Sequence, residues 1–446
     1  MLVFDRLWQM QGLPQIIHRL ADGRRFQFDI ERAVFAMALQ RLYRPGSDLQ
    51  GSRWFQSVEG SGFQALQLQH LYRANGFLSE VRYELEHALF LKDRDLFTQT
   101  LDLVFLDTTS TYVYRPEETP YRRRGDSRDH RPDLVQLVLC VAVNPRGWPV
   151  AWEVFPGNTA DIKAFGSIVE KLRERFRIGR VIIVADRGMI SAKTRKELTD
   201  HQSTPFDYIL GCRMRRQKEI REDVLTRGGR FQHVDKKLQV KEVMVDDRRY
   251  IICRNPEEAV RDEAARKAIL EKLEQTLSQK GTKAVIGNKG YARFLKISKK
   301  SVQIDPVAVK RDRRFDGKFV LTTSTKMPAD EVAKTYKSLW RVERTFREEK
   351  STLEIRPIFH HRDDTSIGHI VAGFLALRLE VDLQRRLEEK QLQVPWPDLM
   401  HDLKQLHAVR LDLDGKQYLI RTDFEGNAYR AFKAAGVRPP SRVTSL

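Results

Sequence analysis

Hydrophobic positions along the chain fall into three regimes. From residue 1 to about 95 they recur at helical spacing, most clearly in IERAVFAMALQRLY and in WFQSVEGSGFQALQLQHLYRANGFL, so a helical N-terminal domain is expected over 1–98. At LDLVFLDTTS the pattern becomes a short buried strand with an acid, Asp107, and three hydroxyl residues at its end. LVQLVLCVAV and WPVAWEVF flank the turn signal NPRG and predict a hairpin. IKAFGSIVEKLRERF has a helical period, RVIIVADRGM is an apolar strand ending in Asp186, and FDYILGCR is a further strand. Beyond it, LQVKEVMVDDRRYIICRN alternates like a hairpin around Asp-Asp, and EEAVRDEAARKAILEKLEQTLSQK is a long charged helix. RRFDGKFVLTTS carries a hairpin signal at Asp316-Gly317. After YKSLWRVERTFREEK come a loop, an apolar helix and a C-terminal tail.

Three strands, a helix, a strand, a helix and a strand predict a mixed sheet with helices on both faces, the order of the ribonuclease-H-like fold. The expected division is a core in two parts, 99–214 and 326–385, interrupted by a β-rich insertion over 215–325 and followed by a tail over 386–446. In such a sheet the ends of the first and fourth strands are neighbours, which places Asp107 beside Asp186. Two acids so placed repel unless a cation lies between them. Taken singly, Asp107 has a plainer reading, as a turn-forming or capping aspartate, and Asp186 after RVIIVA is the stronger candidate.

The third acid comes from YKSLWRVERTFREEK. At about 100° per residue, Tyr336, Trp340, Glu343, Arg347 and Lys350 share a stripe roughly 80° wide, with Leu339, Val342, Phe346 and Leu353 in a buried stripe beside it. Glu348 and Glu349 point elsewhere. A solvated face of i,i+4 pairs is the alternative for this helix alone.

Composition then narrows the partner. Lys+Arg number 79 against 60 Asp+Glu, a formal charge of +19 with a pI near 9.8, which suits a polyanion and makes nucleic acid the first candidate. Mean hydropathy is −0.50, and neither a long apolar run nor a signal-peptide pattern is present, so no membrane partner is expected. The three cysteines, 140, 212 and 253, form no CxxC, which predicts neither zinc site nor disulfide framework and fits a reducing, cytoplasmic, nucleoid-associated setting. Arg122, Arg123, Arg124 and Arg128, in the loop RPEETPYRRRGDSR, are candidate DNA contacts, with an ordinary solvated loop as the other reading.

Tyr336, Glu343 and Lys350 occupy three of the four fixed positions of the pattern Y-x2-R-x3-E-x6-K, with Leu339 at the arginine position. In this the chain resembles DDE transposases of prokaryotic insertion sequences, of the insertion-sequence family four type, over about residues 100 to 380. VFPGNTAD, VADRGM and RPIFHHRDDTSIGHI resemble the same family. The resemblance implies Asp107, Asp186 and Glu343 as catalytic residues and metal ligands for two Mg²⁺ ions, with Mn²⁺ as substitute. It further implies DNA contacts from Tyr336, Trp340, Arg347 and Lys350, with Arg341 or Arg347 standing in for the absent arginine, and a homodimer in a synaptic complex. His360, His361 and His369 lack a tight ligand spacing and are not expected to hold a metal. In relatives the insertion stacks on a displaced base; no tryptophan falls in 215–325, which leaves Tyr250, Phe294 and Phe319 as alternative platforms or core residues. The rival functions are a ribonuclease-H-like nuclease that only cuts, and an inactive or truncated transposase-derived DNA-binding protein.

Overall fold

The computed structural model describes residues 1–58, 62–96, 103–174, 182–186, 206–280, 289–298, 302–339 and 355–445. The described chain is α/β, with a large mixed sheet and many helices. It divides into two compact units, Met1–Gly179 with Trp340–Leu446, and Arg180–Leu339.

In the first unit, helices α1 (Leu2–Met10), α2 (Leu13–Ala21), α3 (Ile30–Tyr43), α4 (Asp48–Phe55), α5 (Leu68–Glu80) and α6 (Arg82–Leu96) precede any strand. The apolar period of 30–43 is thus realised residue for residue as α3, whose N-cap Asp29 accepts a hydrogen bond from the Arg32 amide. A capping box between Ser47 and Gln50 starts α4 and leaves Asp48 in its first turn.

Strand β1 (Leu103–Tyr112) pairs antiparallel with β2 (Gln136–Val143), and β2 with β3 (Pro149–Pro156). The NPRG hairpin forms as its sequence predicts, with Gly147 at φ 77°. Helix α7 (Asp161–Glu174) follows. β1 is longer than its apolar segment suggests. Thr108, Thr109, Ser110 and Thr111 are buried and continue the ladder to Tyr112↔Gln136, because β-branched and hydroxyl residues suit a pleated, half-covered surface. Asp107 therefore lies in mid-strand rather than at the strand's end.

The rest of the first unit follows residue 354. A 27-residue helix, Asp363–Glu389, is buried along most of its length and packs on α3 and α5. Its buried Arg378 forms a bidentate pair with Asp93 of α6 at 2.9 and 3.0 Å, and Trp148 Nε1 donates to the same carboxylate; an arginine fork can be buried only when matched in this way. Residues 386–446, read as a tail, carry two more helices, Trp396–Lys404 and Ala428–Ala435, and a three-stranded antiparallel sheet of Ala408–Leu413, Lys416–Arg421 and Val443–Ser445.

In the second unit, β4 (Ile182–Ala185) runs parallel to β5 (Asp207–Gly211); the helix expected between them falls outside the described residues. β6 (Gln232–Asp235), β7 (Leu238–Val245) and β8 (Arg248–Arg254) form an antiparallel meander. The turn between β7 and β8 holds Asp246 and Asp247 at φ 47° and 57°, the conformation a two-residue hairpin requires. The charged helix is α8 (Pro256–Lys280). β11 (Lys318–Thr323), after the short pair β9 (Leu295–Ile297) and β10 (Val302–Ile304), lies between β5 and β8 and pairs antiparallel with both.

Asp316-Gly317 does not close a hairpin as the dipeptide predicts: a 3₁₀ turn, Arg313–Phe315, leads into β11 there. Gly317 has φ 60°, and a Cβ on it would run into the Asn255 carbonyl and Ala259, so glycine serves the close approach of β11 to the start of α8.

Candidate active site

Asp107 is a half-covered acid in an otherwise buried strand, its side chain 20 % exposed. Its Oδ1 accepts from the Thr108 amide at 2.8 Å and lies 3.9 Å from Arg128 Nη1. Arg128 also donates to the Thr108 carbonyl and, at 2.8 Å, to Thr108 Oγ1. Asp161, at the N-terminus of α7, accepts from Thr108 Oγ1 at 2.7 Å and from Arg128 Nη2 at 3.0 Å, and a helix N-terminus favours a carboxylate there. Gly157 carries the chain from β3 to α7; a Cβ on it would strike the carbonyls of Gln136 and Arg123. Sequence reading placed Arg128 among loop cations and missed Asp161; an acid opening a helix just after PGN was its only local signal.

Asp186 directly follows β4 and is half-buried. Its Oδ1 accepts from the Tyr336 hydroxyl at 2.6 Å, a charge-assisted bond. Tyr336, a candidate DNA contact in the sequence, serves Asp186 with its phenol, and its ring stacks on Phe319 with centroids 5.9 Å apart and planes at 25°. Of the three alternative stacking platforms, Tyr250 and Phe294 are fully buried, and Phe319 is the one beside Tyr336.

Tyr336 belongs to a helix, Ala329–Lys337, that stops earlier than the stripe requires. Ser338 caps it with ψ −3°, its amide is shared between the carbonyls of Lys334 and Thr335, the Leu339 amide donates to the Tyr336 carbonyl, and the Ser338 hydroxyl bonds back to Lys334 O. Such back-bonding by serine tightens and ends a last turn. Leu339 is buried, as its stripe predicts. Trp340, Arg341, Glu343, Arg347 and Lys350 lie outside the described residues.

The RRRG loop divides. Arg122 is buried and committed: its Nε donates to Asp363 at 2.9 Å and its Nη2 to the His361 carbonyl at 2.6 Å, so it faces inward instead of toward a ligand. Arg123 and Arg124 are exposed and share Glu118 at 3.0 and 3.4 Å, solvent-screened pairs that a phosphate can replace.

The histidines sit differently from the sequence expectation. His360 Nε2, His369 Nδ1 and a carboxylate oxygen of Asp48 converge within 4.8 Å, all three side chains buried; Asp48 is too distant in sequence for any spacing rule to find. His361 stays apart, beside Arg115. The composition of the cluster is that of a metal site, but Arg41 Nη2 reaches His369 Nδ1 at 3.0 Å and Asp48 at 3.7 Å. A guanidinium already faces the nitrogen a metal would need. His369 Nε2 faces the Ile355 carbonyl at 3.1 Å, which makes it the N–H end and leaves Nδ1 to accept from Arg41. Burial, with Arg41 adding to it, pushes the His369 pKa well below 6.5, and burial lowers His360 as well.

Both histidines therefore bind protons more readily in the unfolded chain. Their neutral forms contribute full stability above pH 6.5, and that stability is lost as pH falls below it. We expect the unfolding free energy to drop through this acid range with a slope of up to about 1.4 kcal/mol per pH unit for each histidine, and the melting temperature to fall with it. His369→Gln should melt lower at pH 8 yet lose less on acidification; an unchanged acid slope would rule the cluster out as its cause.

No described helix is long and apolar enough to cross a membrane, and the three cysteines are buried. Comparison with known proteins adds the family. A model described as Transposase DDE domain matches residues 98–379, well over half of the chain. No curated protein matches it. With acids at Asp107 and after β4 inside the matched region and a strongly basic composition, the chain belongs to the transposase DDE domain family, whose members are DNA-binding transposases that generally use divalent metal ions.

Proposed function

We propose that this chain cuts DNA at the ends of an insertion sequence and joins the freed ends to target DNA, as a transposase of the insertion-sequence family four type working as a homodimer in a synaptic complex. The observation that carries the reading is the family match over 98–379, with Asp107 and Asp186 held by partners that orient carboxylates. Asp107, Asp186 and Glu343 are the catalytic acids and the ligands of two Mg²⁺ ions, replaceable by Mn²⁺; an oxygen-only set suits such hard cations. Bound there, the two ions activate the attacking oxygen and stabilise the leaving one. Tyr336 fixes the rotamer of Asp186, and Thr108 with Arg128 fixes that of Asp107. Water is the first nucleophile and the freed 3′-hydroxyl the second, so one set of acids serves both in-line displacements. Trp340, Arg341, Arg347 and Lys350, with Arg123 and Arg124, hold the DNA backbone.

The test on binding is its salt dependence. Affinity for a duplex should fall with a log–log slope of about −0.9 per phosphate neutralised. Arg123→Ala and Arg124→Ala should each make that slope shallower and leave melting unchanged. Arg122→Ala should do the reverse: the slope stays, and stability falls by roughly 3 kcal/mol because Asp363 loses its partner. A salt-independent affinity would contradict the DNA reading.

A further inference from the structure

The Arg128 guanidinium stands between two carboxylates and serves them unequally. It donates to Asp161 at 3.0 Å and approaches Asp107 only to 3.9 Å. Its backbone amide is pinned on Ser110 Oγ at 3.1 Å, and Thr108 takes both of its terminal nitrogens. The side chain is 39 % exposed, so its head can swing outward without breaking the core. Asp161, 36 % exposed at the mouth of α7, is the partner toward which it leans.

This geometry meets a divalent cation with a conflict. A cation seated on Asp107 brings two positive charges next to a third, and like charges at such range repel unless one withdraws. Asp161 offers the place to withdraw to, since it already holds the stronger bond. We infer that Arg128 is the counter-ion which a divalent cation has to displace from Asp107, and that Asp161 is the positioning residue that takes it up. The inference rests on the reading of Asp107 as a metal ligand. Arg128 then sets the metal concentration at which the protein loads, and Asp161 lowers it.

The test uses the full chain without DNA and Mn²⁺ as the probe, with bound ion counted from the loss of the free Mn²⁺ paramagnetic resonance signal. Asp107→Asn should abolish the tightest binding. Arg128→Met should tighten it roughly fivefold, as removal of one neighbouring like charge does. Arg128→Lys, which keeps the charge, should stay near wild type; a purely structural role would make Lys and Met behave alike. Asp161→Asn should weaken binding by a similar factor, because Arg128 then keeps Asp107 but loses the carboxylate that draws it away. The double variant Arg128→Met with Asp161→Asn should match Arg128→Met. If Arg128→Met leaves binding unchanged or weakens it while Asp107→Asn abolishes it, the inference fails and the ligand reading stands. If the double variant is weaker than Arg128→Met by the full Asp161→Asn factor, Asp161 is itself a ligand and the displacement account is overturned. If Asp107→Asn binds as wild type does, the ligand reading of Asp107 fails, and the inference with it.

Discussion

Asp107→Asn, Asp186→Asn and Glu343→Gln should each slow metal-dependent nicking of a labelled insertion-sequence end by on the order of 10³-fold or more, while binding of that end survives. Each change keeps the size of the side chain and removes the charge that holds a hard cation. Ligands of one metal pair act as a unit, so a second substitution should add little to the first. Binding persists because it depends on the cations that neutralise phosphates. Glu348→Gln and Glu349→Gln, which the helical period turns away from the Glu343 stripe, should retain activity. Single-turnover nicking rates decide the matter. Multiplicative losses in the double variants would mean that the three acids do separate jobs, and full activity of Glu343→Gln would remove it from the set.

Tyr336→Phe carries the second largest expected effect. It deletes one oxygen and keeps the ring, so the stack on Phe319 remains and the bond to Asp186 Oδ1 is lost. Partners one step removed from a metal typically matter by 10- to 100-fold. We expect nicking to fall by about that factor and the Mg²⁺ concentration for half-maximal rate to rise. Thermal stability should move by no more than about 1 kcal/mol, since the hydroxyl donates a single partly buried bond. Titration of the nicking rate with Mg²⁺ separates the outcomes. A variant with weakened DNA affinity and an unchanged Mg²⁺ requirement would return Tyr336 to the DNA-contact role its sequence position suggests.

Much of the fold is legible wherever one local rule operates alone. The apolar period of 30–43, the NPRG hairpin and the Asp246-Asp247 turn each settle their own geometry, and the structure places them where the pattern does. Legibility ends where distant partners decide. Asp316-Gly317 has hairpin chemistry, yet β11 is claimed by both β5 and β8 and needs its glycine for clearance against α8. The hydroxyl run after Asp107 resembles a strand end, yet its burial against β2 extends the strand. The 336–350 stripe begins in the helix Ala329–Lys337, which ends at the back-bonded Ser338, and its remaining positions lie outside the described residues.

The candidate site follows the same division. Asp107 and Asp186 could be picked from their strands, because an acid in a buried strand is rare enough to notice. The roles of their neighbours could not. Asp161, Arg128 and Tyr336 acquire their roles only through bonds made at sequence separations of 20 to 150. Asp48 finds His360 and His369 only when the N-terminal helices close on the helix Asp363–Glu389. Arg122 looks like its two exposed neighbours in sequence, and its own burial with bonds to Asp363 and the His361 carbonyl distinguishes it.

The most direct test of the central claim is strand joining. Purified chain, a DNA fragment ending in a free 3′-hydroxyl at an insertion-sequence end, a supercoiled target plasmid and Mg²⁺ are incubated together, and covalent fragment–plasmid products are counted. The account predicts joined product that requires the metal and is lost in Asp107→Asn. Metal-dependent cutting with no joined product would make the chain a nuclease, and joining that survives Asp107→Asn would place the chemistry elsewhere.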